Sequence, residues 1–238
     1  MRRALELAAR GRTSPNPMVG AVVVKQGKVV GEGYHSRAGY PHAEVEALRQ
    51  AGNKARSADL YVNLEPCCHF GRTPPCTDAI IQAGIKRVFV GMKDPNKQVS
   101  GKGLRALKAQ GIVIVSGILK KECMKLNESF VKVMQTGMPF VIMKTAMSLD
   151  GKIATRSGDA RWISGELARK HVHKIRNYVD AILVGTETVL KDNPRLTCRL
   201  ATGSVEHPIR IILDRRNRIP LTANVFKNSR SQPVIYVT

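Results

Sequence analysis

Aromatic residues are scarce in this chain: five Phe, five Tyr and a single Trp among 238 residues. Proteins that grip single-stranded nucleic acid stack successive bases on rings set in a basic groove. Aromatics at 5%, thinly scattered among the basic residues, weaken the case for such a platform, and the leading expectation is no nucleic-acid partner. Long apolar runs are also missing, none approaching the roughly 18 residues that a membrane-spanning helix requires, and no membrane partner is expected. Internal repeats and low-complexity tracts are absent. The opening residues Met1-Arg2-Arg3-Ala4-Leu5-Glu6-Leu7-Ala8-Ala9 start with a basic pair, but Glu6 interrupts what would be the apolar core of a secretory signal. They predict a helix and a cytoplasmic protein. Acidic residues are few, 18 against 39 Lys and Arg, and the formal net charge is +21. Such a field attracts polyanions and phosphorylated metabolites alike and does not choose between them.

Cysteines number five, with three of them inside residues 67–76. An odd, clustered set suits a reduced compartment and a bound metal better than a disulfide framework. Cys123 and Cys198 read as ordinary buried thiols.

The length exceeds one typical domain of about 100–200 residues, so two units are expected. Val19-Gly20-Ala21-Val22-Val23-Val24, a turn at Lys25-Gln26-Gly27-Lys28, and Val29-Val30-Gly31-Glu32-Gly33 predict a hairpin over 19–33. Apolar runs at 60–64, 88–91 and 112–115 predict further strands. Helices over 42–51, 77–83 and 103–109 lie between them, ending at Gly52, Gly84 and Gly111, where left-handed C-terminal caps are expected. Alternation of strand and helix implies an α/β sheet covered on both faces. Thr136-Gly137-Met138-Pro139 breaks the rhythm and sets the boundary between domains 1–138 and 139–238. The second domain has predicted strands at 140–145, 181–185, 209–213 and 234–237, with a helix over 165–178. Its series stops at Thr238 inside a predicted strand and reads as the N-terminal part of a larger domain.

His42-Ala43-Glu44, Pro66-Cys67 and Cys76 carry the chemistry. A His-x-Glu followed by a Pro-Cys and a second Cys is the signature of zinc deaminases. Catalytic zinc keeps three protein ligands and leaves the fourth place to water, whose pKa falls to about 7. His42, Cys67 and Cys76 supply one imidazole and two thiolates. Glu44, a non-ligand carboxylate, is the candidate that carries a proton from the water to the ring nitrogen and on to the leaving amine. Residues two apart do not share a helix face, so the His42–Glu44 pair belongs at a first turn. Pro41 is placed to open that helix. Glu46 shares His42's face and competes on geometry; the motif favours Glu44. Thr73-Pro74-Pro75-Cys76 predicts a helix start with Thr73 as N-cap and Pro74 first, which puts Cys76 in the first turn. A helix N-terminus stabilises a thiolate. Cys68 and His69 are nearby competitors for the metal.

The segment Asn63-Leu64-Glu65-Pro66-Cys67-Cys68-His69-Phe70-Gly71-Arg72-Thr73-Pro74-Pro75-Cys76 has eight residues between its outer cysteines. It closely resembles the deaminase half of the bifunctional riboflavin-biosynthesis family, in which diaminohydroxyphosphoribosylaminopyrimidine deaminase is joined to 5-amino-6-(5-phosphoribosylamino)uracil reductase. The resemblance extends to Ser14-Pro15-Asn16-Pro17-Met18-Val19-Gly20, Gly33-Tyr34-His35, Asp94-Pro95-Asn96 and Gly101-Lys102-Gly103. It implies a three-layer cytidine-deaminase-like domain in which Asn16, His35, His42, Glu44 and Arg72 surround a phosphorylated pyrimidine ribotide. Asn16 offers a donor and an acceptor to a ring edge, and Arg72 pairs with a phosphate or ring oxygen. The sequence departs from the family at Cys68, where serine is frequent, and at Lys97, where proline is usual.

Lys144-Thr145-Ala146-Met147-Ser148-Leu149-Asp150-Gly151-Lys152 and Arg161-Trp162-Ile163-Ser164 resemble the start of the same family's reductase half. The resemblance implies a partial dihydrofolate-reductase-like α/β domain that uses NADPH. A homo-oligomer is expected. Cofactor and substrate contacts fall on Trp162, Arg176, Gly185, Thr188, Asp192 and Arg199, with Thr186 beside Gly185. No glycine-rich dinucleotide fingerprint is present, and the family's later glycine-rich cofactor segment is absent, so this polypeptide is expected to deaminate but to reduce poorly. Two other readings are a nucleic-acid base deaminase, which the positive charge permits, and a structural zinc module, which would take a fourth ligand from Cys68 or His69.

Overall fold

The β-branched run Val22-Val23-Val24 forms the middle of β1 (Gly20–Lys25), which pairs antiparallel with β2 (Lys28–Tyr34) on one side and β3 (Asp59–Leu64) on the other. β3 pairs parallel with β4 (Arg87–Met92), and β4 with β5 (Val113–Ser116). The sheet order is β2-β1-β3-β4-β5. Gln26 and Gly27, with φ of 50° and 76°, supply the two positive-φ positions that a tight hairpin turn matching the strand twist requires. The computed structural model describes residues 1–71, 73–97, 99–201 and 205–238, and it divides into two units, Met1–Ile142 and Met143–Thr238.

Alternation along the strands gives the first unit its three layers. Ala21, Val23, Leu60, Val62, Val88 and Val90 are buried on one face, where α2 (Ala43–Ala51), α3 (Cys76–Gln82) and α4 (Lys102–Ala109) lie. Val22 and Tyr61 face the other way, toward Ala4 and Leu7 of α1 (Arg2–Ala8). α5 (Lys120–Leu126) covers that side of β3 and β4 and is followed by α6 (Glu128–Thr136). Neither α5 nor α6 was expected: α5 is short and mostly polar, whereas α6 does carry apolar residues at helical spacing, Phe130, Val131, Val133 and Met134, a stripe the strand-and-helix pattern upstream had overshadowed. Gly84 and Gly111 take positive φ, 66° and 79°, after their helices, whereas Gly52, at φ 52° and ψ −136°, leaves the left-handed helical region and opens a short 3-10 turn, Gly52–Ala55.

Helix α2 approaches β2 too closely for side chains between them. A Cβ added at Gly33 would lie 2.4 Å from the Ala43 carbonyl oxygen and 2.5 Å from the Ala47 nitrogen. Both obstacles are backbone, so the helix itself would have to move. Gly33→Ala is expected to destabilise the first unit by about 3 kcal/mol, the upper end for overpacking, read as a fall in the urea midpoint. An unchanged midpoint would show that α2 does not rest on this glycine.

In the second unit β6 (Ala181–Gly185), β7 (Ile209–Leu213) and β8 (Val234–Val237) form a parallel sheet in that order. α7 (Glu166–Tyr178) precedes β6, and α8 (Thr186–Asp192) follows it directly. Val189, Leu196, Ile212, Ile219, Ala223 and Val225 are buried together with Ile182, Val184 and Tyr236 packed against them. The strand expected at 140–145 does not form. Strands exist through their ladders, and among the described residues none pairs with this segment, which runs without regular structure with Val141 and Met143 largely exposed. Among the described residues no helix is long and apolar enough to cross a membrane.

Candidate active site

The first residue of α2 is Ala43, not Pro41, and His42 is its N-cap with extended backbone, φ −74° and ψ 159°. The expectation that Pro41 opens the helix is thereby corrected, and the two-residue gap from His42 to Glu44 stops being a helix-face problem, because His42 lies outside the helix. Glu44, in the first turn, is buried, 3% exposed. Glu46 is engaged elsewhere, with Arg49 at 2.7 Å.

The start of α3 is also corrected. Its N-cap is Pro75 and Cys76 is its first residue, so Thr73 is not the cap and Pro74 is not helical. A residue before proline is pushed out of the helical region, and Pro74 precedes Pro75. The helix therefore starts after the second proline, and Cys76 is brought to its very end. Thr73 instead places its hydroxyl 3.5 Å from His42 Nε2.

His42, Cys67 and Cys76 converge. Their donor atoms all lie within 4.8 Å of one another. His42 Nδ1 is 3.2 Å from Cys76 Sγ and 3.5 Å from Cys67 Sγ. The Cys76 backbone N–H donates to Cys67 Sγ at 3.3 Å, and the Thr77 N–H to the Cys67 carbonyl at 3.1 Å, so the end of α3 clasps the Cys67 loop. Hydrogen bonds from the Cys76 thiol, from His42 and from the Cys76 N–H hold the Cys67 thiol below its ordinary range, while the Cys76 thiol, as donor, is pushed up. A thiolate beside an imidazole and a second sulfur is a donor set that fits zinc. Among the described residues neither Cys68 nor His69 belongs to the group. Burial, and next the negative Cys67, push the Glu44 carboxyl up to about 7.

Asn16 and His35 form a second cluster beside the first. The His35 and His42 rings meet edge to face with centroids 5.3 Å apart. His35 Nδ1 is 3.1 Å from the Pro41 carbonyl oxygen, which can only accept, so Nδ1 carries the proton. His35 Nε2 is therefore the acceptor for the Asn16 side-chain amide at 3.1 Å. Burial lowers the His35 pKa and keeps the ring neutral. Arg72 lies outside the described residues.

Three buried polar residues that the motifs did not single out hold this site in place. Glu65 accepts backbone N–H groups from Asp94 at 3.2 Å, Gly101 at 2.9 Å, Gly103 at 3.0 Å and Leu104 at 3.4 Å. It therefore pins the start of α4 against the strand end that leads to Cys67. A Cβ at Gly103 would sit 2.1 Å from the Pro66 carbonyl oxygen, which explains a glycine there. Asn63 and Asn127 bond the backbone of Met18. The only signal in the sequence was the Glu next to Pro66-Cys67 and the Asn opening its motif.

In the second unit Arg176 and Arg199 meet at Thr197: Arg176 Nη1 donates to its carbonyl and Arg199 Nη1 to its hydroxyl, both at 3.1 Å. Burial, and next the neighbouring Arg199, lower the Arg176 pKa. Two guanidiniums of like charge at one residue suit a phosphate dianion. Gly185 caps α8, Thr188 lies inside it and Asp192 ends it. The Asp192 carbonyl accepts from Arg161 at 3.2 Å. Trp162 stands exposed, its ring 4.4 Å beneath the Arg169 guanidinium.

Residues 1–92 match the family model of the cytidine and deoxycytidylate deaminase zinc-binding region, and residues 139–238 that of the RibD C-terminal domain. The chain is 51% identical over 240 residues to the riboflavin biosynthesis protein RibD of Aquifex aeolicus, covering 100% of this chain and 67% of that protein. It is 50% identical over 232 residues to RibD of Escherichia coli, covering 92% and 63%. The chain thus spans about two thirds of the length of these relatives. Among solved structures, a diaminohydroxyphosphoribosylaminopyrimidine deaminase/5-amino-6-(5-phosphoribosylamino)uracil reductase from Thermotoga maritima matches with a TM-score of 0.92 and 48% identity, over 99% of this chain and 68% of that one. The fold is accordingly a cytidine-deaminase-like domain followed by a dihydrofolate-reductase-like α/β domain.

Proposed function

Because the chain belongs to the RibD family of riboflavin biosynthesis, we propose that residues 1–138 hydrolyse the 2-amino group of 2,5-diamino-6-ribosylamino-4(3H)-pyrimidinone 5′-phosphate. Residues 139–238 belong, in the same proposal, to an NADPH-dependent reductase that turns the ribosyl chain into ribityl. The observation that carries the deaminase reading is the gathering of His42, Cys67 and Cys76 within 4.8 Å around a buried Glu44.

Zinc held by His42, Cys67 and Cys76 supplies, when bound, the Lewis acidity that lowers the pKa of a water to about 7. Glu44 takes a proton from the attacking water and passes it to the pyrimidine ring nitrogen and then to the leaving amine. The carbon–nitrogen bond breaks, ammonia leaves, and a carbonyl remains on the ring. With its carboxyl pushed up to about 7, Glu44 can both accept and donate near neutral pH. Asn16, oriented by the Nδ1-protonated His35, grips the ring edge, Arg72 pairs with a phosphate or ring oxygen, and Arg176 and Arg199 hold the ribotide phosphate in the reductase. NADPH, when bound near Trp162, Gly185, Thr188 and Asp192, supplies the hydride. A cluster of three protein donors supports a catalytic zinc and speaks against a structural module, which closes its fourth place with protein. A homo-oligomer in the cytoplasm completes the proposal.

Ammonia release from the zinc-loaded protein and the diaminopyrimidine ribotide tests the deaminase. Release that a chelator abolishes and added zinc restores supports it; no release from protein holding one zinc per chain overturns the substrate assignment. Oxidation of NADPH by the deaminated product measures the second activity, and its absence would remove the reductase from what this chain does. Light scattering on the same preparation reads whether the mass exceeds that of one 26.2 kDa chain.

A further inference from the structure

Met18 is held at both of its backbone groups by one side chain. Asn127 Oδ1 accepts the Met18 N–H at 2.7 Å, and Asn127 Nδ2 donates to the Met18 carbonyl at 3.0 Å. Asn63 adds a second bond to that carbonyl at 2.9 Å and accepts the Gly20 N–H at 2.8 Å. Both amides are shut away from water, at 2% and 0% exposure. A buried amide that uses both its ends tolerates one position and one orientation of its partner, since any other leaves a donor or acceptor unpaired.

Asn127 stands at the junction where α5 ends and α6 begins, 109 residues from Met18 in sequence. It belongs to residues 93–138, which neither family model covers. The contact is thus a tether from the helix pair to the loop that bears Asn16. Only Pro17 separates Met18 from Asn16, and a proline fixes its own φ. On the other side the loop is closed by Thr13, whose hydroxyl donates to the Asn16 carbonyl at 2.8 Å and whose carbonyl accepts the Asn16 N–H at 2.7 Å. With Thr13 on one side and Met18 on the other, the Asn16 amide meets His35 Nε2.

We infer that Asn127 is a positioning residue for deamination: by fixing Met18 it sets, through Pro17, the place of the Asn16 amide against His35, and so the grip on the pyrimidine ring. Its kinetic consequence rests on the deaminase function proposed above. The Asn127 side-chain bonds go to Met18 and not to His42, Glu44, Cys67 or Cys76, so its loss weakens substrate binding and leaves the proton transfer alone. Asn63 shares the task, but it lies in β3 two residues before Glu65, where its loss would disturb the strand leading to Cys67.

The test compares Asn127→Leu, which removes both bonds, and Asn127→Asp, which keeps the acceptor for the Met18 N–H, with Val131→Ala. Val131 is a buried residue of α6 one turn on, and its truncation loosens the helix while leaving the Asn127 and Asn63 bonds to Met18 in place. Asn127→Leu is expected to raise KM for the ribotide about tenfold, the loss of roughly one net hydrogen bond, with kcat within about twofold and zinc still bound. Asn127→Asp should raise KM less, and Val131→Ala not at all. Independently of turnover, the Asn16 side-chain amide resonances should move in both Asn127 variants and stay in place in Val131→Ala. Unmoved Asn16 resonances with an unchanged KM would overturn the inference, and so would an equal KM rise in Val131→Ala. Should Asn127→Leu fail to fold, Asn127→Asp carries the comparison. If the wild-type protein releases no ammonia, the function fails, and the Asn16 resonances alone decide whether Asn127 positions that loop.

Discussion

Glu44→Gln is expected to lower ammonia release by about 10³- to 10⁴-fold, the upper range for removal of a general acid–base group, while the protein keeps its zinc. The reason lies in the environment of the carboxyl. Glu44 is 3% exposed in the first turn of α2, and burial, then the negative Cys67, bring its pKa to about 7, against the opposing pull of His42. A group poised there shuttles protons in both directions at neutral pH; an amide of the same shape shuttles none. The substitution removes a buried ionisable group and puts a neutral one in its place, so thermal stability should not fall. Measuring zinc content, melting temperature and ammonia release on one preparation separates loss of chemistry from loss of structure. A variant that keeps more than a tenth of the wild-type rate would take the proton-carrying role away from Glu44. Glu46 is a poor heir, since its carboxylate is already spent on Arg49.

Much of the scaffold could be read from local patterns, because local patterns are what make it. Strands β6, β7 and β8 fall where the apolar runs predicted them, and the Gln26-Gly27 turn follows from the backbone it must adopt. Where a neighbour decides, local reading failed. The start of α3 moved two residues because Pro75 governs Pro74, a constraint that the Thr-Pro cap pattern ignored. Residues 140–145 have the composition of a strand and no ladder partner among the described residues. The cluster His42, Glu44, Cys67 and Cys76 was legible because the chemistry of deamination demands those residue types, whatever the fold. Glu65 and Asn127 were not, because their partners are backbone groups 29 to 39 and 109 residues away. No spacing rule reaches across such a distance, and a backbone N–H leaves no mark in a sequence.

Glu65→Ala is the second substitution from which a large effect is expected, on stability and metal retention together. Four backbone N–H groups converge on this carboxylate, and among them those of Gly103 and Leu104 belong to the first-turn donors of α4 that have no partner within the helix. A carboxylate at a helix N-terminus is favoured both by these bonds and by the helix dipole. Without it, buried donors lose their acceptor at about 1–3 kcal/mol each; with water replacing part of what is lost, a destabilisation of about 4 kcal/mol is expected. The effect on the metal follows from connectivity. Glu65 is joined to Cys67 by Pro66 alone, and the Pro66 carbonyl packs against Gly103 so closely that no Cβ fits between them. When α4 is released from Glu65, the Cys67 loop loses its wall, and zinc should be held about 10- to 100-fold less tightly, as when other outer supports of a metal site are removed. Glu65→Gln should fall between, because its amide keeps one acceptor oxygen but turns N–H groups toward donors. Urea unfolding and the rate of zinc transfer to a coloured chelator measure the two effects. Wild-type zinc retention in a clearly destabilised Glu65→Ala would confine Glu65 to the fold, and wild-type stability would show that the four N–H groups find other acceptors.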